Sequence, residues 1–172
     1  MPIPAYMSIE GESQGDITEG CNTADSIGNI YQEEHEDEFL VLDLEHQIVV
    51  PTDKQSGQPT GYREHKWLTV MKYVDKATPL LYQALVSGER LPTCEIKYYR
   101  TSQEGQEEHY YTIELEDAVI VSIVSNIPDA LAIEKQHLGH MEKVSFTYRA
   151  ITWTHEIAGT EGTDDWRAKA AD

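Results

Sequence analysis

Along most of the chain, hydrophobic and polar positions alternate with a period of two; a helical period shows clearly in only one place. Ile3, Ala5, Met7 and Ile9 stand two apart and predict a short strand over residues 3–10. The stretch that follows, GESQGDITEGCNTADSIGN, is rich in Gly, Asn and Ser and reads as turns and loop. Over residues 39–50 the even positions hold Leu40, Leu42, Leu44, His46, Ile48 and Val50, while the odd ones include Asp43, Glu45 and Gln47. That alternation predicts one long strand with a wet face. The next fifteen residues, PTDKQSGQPTGYREH, carry two Pro and two Gly. A connector of that length in a compact domain points to a functional loop.

Residues 66–75 predict a further strand, and then the period changes. In ATPLLYQALVSGE, Thr78 offers an N-cap, Pro79 the first helical position, Leu81 and Leu85 a one-turn pair, and Gly88 a C-terminal stop. So short a helix does not hold alone in water, so its leucines must lie against a sheet. Two strands around a polar tip at Gln103, Glu104, Gly105 and Gln106 predict a hairpin, with Tyr111, Ile113, Leu115, Val119, Val121 and Ile123 on one face. Residues 125–140 have no steady period and read as loop with room for a helical turn.

The last long strand changes phase. Val144, Phe146 and Tyr148 mark one face, whereas Ile151, Trp153 and Ile157 mark the other. A bulge near Arg149 and Ala150, at a barrel corner, accounts for the switch. Six or seven strands and one helix make the class mainly β. A single helix cannot cover the outside of such a barrel, which leaves other subunits as the expected cover.

Charge narrows the partners. The 172 residues hold 31 Asp plus Glu against 13 Lys plus Arg, a formal net charge of −18. That surface repels phosphate backbones and anionic lipid, so neither nucleic acid nor membrane insertion is expected. No apolar run approaches the ~18 residues of a transmembrane helix. The start has no basic segment before an apolar core, so no cleaved secretory signal is expected. Two cysteines, Cys21 and Cys94, do not make a disulfide framework.

No motif announces catalysis: G-x-S-x-G, G-x-G-x-x-G, P-loop and EF-hand patterns do not occur. His137 and His140 near Glu142 are spaced as metal ligands can be, yet bring no cysteine or third histidine. Glu114 and Glu116 share the polar side of a strand, but a glycosidase pair also needs a pocket that raises one pKa. His46 and His155 read as hydrogen-bonded core histidines. Trp67, Trp153 and Trp166 read as core or interface groups. The expectation is no enzyme, no cofactor and no metal.

Several segments together resemble a known family. MPIPAYMSIEG, SGQPTGYREHKWLTVMKYVDKATPLLYQALVSGE, EIKYYRT with EEHYYTIELEDA, and EKVSFTYRAITWTHEIAGT are similar, in order and spacing, to the Hcp (haemolysin-coregulated) proteins, the tube-forming proteins of bacterial type VI secretion. Glu34 and Trp67 stand where close relatives often carry Gly and Pro. The resemblance implies a phage tail tube-like fold: a single β-barrel of two sheets, one short flanking helix and a long extended loop. It also implies a homohexameric ring, stacked head to tail inside a sheath, with a spike at its tip and effector proteins in the lumen. Assembly would take place in the bacterial cytoplasm and export would follow. The alternative is a monomeric β-sandwich binding module for carbohydrate or protein.

On this reading residues 1–158 form the barrel domain and 159–172 a polar C-terminal tail, too short for a fused toxin domain. Gln103, Glu104, Gly105 and Gln106, with Gln55, Gly57 and Gly61 of the long loop, are the candidate inter-ring contacts. Residues 31–46 hold seven acids and no Lys or Arg, whereas 51–76 hold five cations. Arg63 and Lys66 against Glu36 and Asp37 of a neighbour are therefore the candidate inter-subunit electrostatic contacts, setting orientation more than affinity.

Overall fold

The computed structural model describes residues 3–135 and 139–166. In chain order the elements are β1 (Ala5–Gly11), β2 (Gly15–Asp16), α1 (Ala24–Ile27), β3 (Phe39–Leu40), β4 (Asp43–Glu45), β5 (Ile48–Val49), β6 (Glu64–His65) and β7 (Leu68–Tyr73). There follow α2 (Thr78–Ser87), β8 (Leu91–Thr101), β9 (Glu107–Asn126), β10 (Met141–Thr147), β11 (Ala150–His155) and β12 (Thr160–Asp165). The fold is mainly β, as the alternation implies.

The long strand β9 belongs to two sheets. Its first part pairs with β8 and β11, and its last part, from Val119 to Asn126, pairs with β10. One sheet runs β2-β1-β8-β9-β11-β12; the other runs β9-β10-β7-β4. The turn from one to the other falls at Asp117, whose φ of 53° is a conformation that Asp tolerates better than most residues. That residue shifts the phase. Ile113 and Leu115 are buried before it, Ala118 and Ile120 after it, so the single apolar face expected to continue through Val119, Val121 and Ile123 does not.

The partner strand breaks at the same level. β10 ends at Thr147, β11 starts at Ala150, and the Arg149 amide donates to the Glu116 carbonyl at 3.0 Å. The phase change read from Val144 to Trp153 is this corner. Ile157 is not on the strand; it lies exposed in the turn between β11 and β12.

Two further expectations change. The segment 39–50 is no continuous strand, because it changes partners twice. β3 pairs with β1, β4 with β7, and β5 with β6. At the first change the Val41 amide donates to Ala5 and the Leu42 amide to Met71, each at 2.8 Å. A broken strand thus bridges β1 and β7, and no unbroken strand closes the barrel. Secondly, residues 160–165 of the expected polar tail form β12, paired along its length with β11. Thr, Glu, Gly and Asp carry no apolar alternation, so only the partner strand reveals it.

The core lies between the sheets, with Met7, Ile96, Leu115, Val144, Phe146 and Leu68 among its side chains. Helix α2 packs on β9 through Leu81 and Ala84. Gly88 ends it in the left-handed region, φ 68°, as its position predicts. Thr78 is the first helical residue rather than the cap. Its hydroxyl donates to Glu142 at 2.7 Å and accepts from the Asp75 amide at 3.0 Å. Beneath it Lys72 is fully buried, with Nζ 2.6 Å from Glu142 and 2.9 Å from Asp75.

Candidate assembly surfaces

The long loop is the distal part of a hairpin. β5 and β6 form its stem, Ile48 opposite His65, and a bridge between Thr52 and Pro59 extends the pairing outward. Its end turns at Asp53, whose carboxylate accepts the Gln55 amide at 2.7 Å and the Ser56 amide at 2.9 Å, and at Gly57, φ 73°. Those two bonds hold the Asp53 pKa below its usual value. Gln55, Gly57 and Gly61 are exposed, and so are the apolar side chains of Val50, Tyr62 and Trp67.

Polar bonds fasten the hairpin's root. Tyr148, at the corner and 1% exposed, places its hydroxyl 2.7 Å from His46 Nε2 and 2.6 Å from His65 Nδ1. His65 Nε2 lies 2.7 Å from Asp164 of β12. Arg63 donates to both oxygens of that carboxylate, at 2.6 and 2.9 Å, and to the Asp165 carbonyl at 3.1 Å. On the other side Arg149 holds Asp165 at 2.5 Å and Asp117 at 2.8 Å. The Trp166 indole donates to the Tyr148 carbonyl, and its ring centroid lies 5.3 Å from that of His65. Strand β12 is thus clamped between an arginine of the hairpin and an arginine of the corner.

This environment shifts several groups. The bond from Arg63 is the largest influence lowering the Asp164 pKa; partial burial opposes it, and His65 adds to the lowering. Burial lowers that of His46, with the neighbouring His65 adding to the effect. Burial also raises that of Tyr148, and the Asp164 charge pushes the same way.

The arrangement changes the assignment of Arg63. Its guanidinium is bonded to β12 of its own chain, since the hairpin brings it beside two aspartates hidden in the apparent tail. Lys66 lies 3.3 Å from Glu64, both about half exposed. Glu36 and Asp37 are exposed, with Asp37 accepting the Gly20 amide at 2.9 Å. Gln103, Glu104, Gly105 and Gln106 form an exposed turn between β8 and β9, with Gly105 at φ 82°.

His46 is a half-buried, hydrogen-bonded histidine, as expected, and His155 accepts the Ala158 amide at 2.9 Å. Trp153 and Trp166 pack against the core, whereas Trp67 borders an open groove of about 450 Å³ with Glu45, His65 and Lys66. His137 lies outside the described residues. Among the described residues no His, Cys, Asp and Glu gather in threes to hold a metal. The polar cluster of Tyr148, His65 and Asp164 is what sequence reasoning passed over. Its one visible signal was the pair of histidines, His46 and His65, bracketing the loop.

Tyr148, His65 and Asp164 line up in the order of a nucleophile, its base and an orienting acid. The hydroxyl, however, is buried and engaged by two imidazoles, so its bonds tie the hairpin's root to the corner.

Known proteins share this architecture. The family model described as type VI secretion system effector, Hcp, matches residues 6–155. The "Major exported protein" of Pseudomonas aeruginosa is 54% identical over 171 residues, 99% of either chain. A solved structure described as an Hcp protein superposes with a TM-score of 0.92 at 45% identity, covering 98% of this chain and all of that one. The secreted protein Hcp3 of Pseudomonas aeruginosa superposes with a TM-score of 0.83 at 50% identity, over 97% of this chain and all of the other. Because the match runs through both sheets, the helix and the projecting hairpin, the chain belongs to the Hcp family of type VI secretion proteins.

Proposed function

We propose that this chain is the repeating subunit of a type VI secretion tube. Six copies close into a ring, rings stack head to tail, and the tube carries effector proteins in its lumen behind a spike and inside a sheath. The subunit is structural rather than catalytic. It assembles in the cytoplasm and is then exported from the cell.

The hairpin is the observation that carries this reading. Its base is held by charge-assisted bonds, while Val50, Tyr62 and Trp67 remain 47%, 75% and 54% exposed. An ordered arm that offers apolar side chains to solvent is accounted for by another molecule that covers them. In a self-assembling chain the nearest supply is a second copy. A ring contact and a stacking contact are both heterologous, one patch meeting a different patch, and only the first closes on itself. With −18 charges on each copy, apolar burial must outweigh screened repulsion, which an interface of about 800 Å² per partner can do.

Light scattering after gel filtration, with electron micrographs of the same fractions, tests the proposal. Uniform annular particles of about six times 19.5 kDa are expected. Particles of 19.5 kDa alone, even in concentrated solution, would overturn it and leave the binding-module alternative.

A further inference from the structure

Two imidazoles meeting one buried hydroxyl restrict where protons can sit. Asp164 is kept ionised by Arg63 and only accepts, so His65 Nε2 donates to it. In neutral His65 the other nitrogen, Nδ1, is then an acceptor, so the Tyr148 hydroxyl donates to it. The Tyr148 oxygen is left to accept, and His46 Nε2 donates to it. Every bond is made, and each hydrogen has one place.

One added proton fits. With His65 charged, its Nδ1 donates to the Tyr148 oxygen, the hydroxyl turns toward His46, and His46 moves its hydrogen to Nδ1. The bonds persist with their directions reversed. A second proton does not fit. If His46 is charged as well, both imidazoles donate to Tyr148, the hydroxyl hydrogen loses its acceptor inside the fold, and two cations face one oxygen.

We propose that Tyr148, His46 and His65 form a proton-counting latch that holds the hairpin to the barrel corner while it carries at most one added proton, and frees the hairpin on taking a second. The groups around it are Glu45 of β4; Arg63, Glu64 and Lys66 of the hairpin; Asp164 and Asp165 of β12; and the Trp166 ring. Burial and the charge on His65 resist the second proton on His46, whose pKa is lowered. For a histidine with a depressed folded pKa, the contribution to stability is full above the unfolded value of about 6.5 and is lost as pH falls below it. The consequence for assembly rests on the reading that the hairpin contacts neighbouring copies. Such contacts are firm at neutral pH and come apart in acid.

Hydrogen exchange of the full chain, read by mass spectrometry from about pH 7 to 4 and corrected for the intrinsic rate, tests the latch. Light scattering in the same buffers follows assembly. Protection of residues 47–66 should fall across this range while β9 stays protected. His46→Gln keeps an uncharged donor and acceptor, so it should hold the hairpin to a pH lower by about half a unit or more. Tyr148→Phe keeps the ring and should lose both the protection and its pH dependence. Hairpin protection that persists until the whole barrel unfolds, or a transition unmoved by His46→Gln, would overturn the latch. A hairpin that loosens while particles stay intact would uphold the latch and overturn the hairpin's role in assembly.

Discussion

The Arg63 guanidinium and the Asp164 carboxylate meet through two bonds, Nε to Oδ2 at 2.6 Å and Nη2 to Oδ1 at 2.9 Å, and so tie the hairpin to the last strand. Paired donors on a planar fork fix direction as well as distance, which a lysine would not do. The pair orients an arm; it does not hold the core together.

Replacing either partner should therefore loosen the hairpin and leave the barrel folded. Asp164→Ala is expected to speed amide exchange over residues 47–66, and Arg63→Ala added to it should do less than it does alone, because its two bonds to Asp164 are already gone. Independent, additive effects of the two substitutions would show that the pair is not one unit. Since the Asp164 pKa is depressed, its contribution is present above about 3.9 and lost as pH falls through the lower folded value.

Under the helix, Lys72 is enclosed by Glu142 and Asp75, and removing it strands two carboxylates. Lys72→Ala should cost about 3–5 kcal/mol in urea unfolding. Burial raises the Asp75 pKa although Lys72 pulls it down. A carboxyl with a raised folded pKa favours the folded state at low pH, and that contribution is lost as pH rises through the folded value. Asp75→Asn should accordingly flatten the pH dependence of stability above about pH 4.

Leu81 is fully buried between α2 and the sheet. Leu81→Ala should cost about 2–5 kcal/mol, measured by the same unfolding. A much smaller loss would mean that the helix is dispensable to the core.

The turn at Gln103 to Gln106 is exposed, with the Ser102 amide donating to the Gln106 carbonyl at 2.7 Å and the Gly105 amide to the Ser102 carbonyl at 3.0 Å. A bulky charged insertion after Glu104 should leave ring formation intact and prevent rings from stacking in micrographs. Tubes of undiminished length would remove this turn from the inter-ring contact.

Much of the fold was legible because burying one face of a strand imposes a period of two, and ending a helix imposes Gly88. The helix stop and the corner near Arg149 were both local signals. The two helices α1 and α2 differ in this respect: Pro79, Leu81 and Gly88 announce the second, whereas Ala24–Ile27 carries no apolar stripe. The break at Leu42 was illegible, since Leu40, Leu42 and Leu44 alternate as in one strand while their hydrogen bonds pass from β1 to β7. Which neighbour accepts a backbone bond is not written in alternation.

The candidate surfaces divide in the same way. Composition, alternation and the run of segments from residue 1 to Thr160 determined a mainly β, acidic member of one family, because those properties follow from residue types and short spacings. Only the tertiary structure decided that the apparent tail is a strand, that Arg63 is bonded at home, and that Tyr148 joins His46 to His65. The last two facts depend on residues about a hundred positions apart meeting at one corner, and the first on pairing with β11 that a polar stretch does not announce; no local pattern encodes where two distant strands cross.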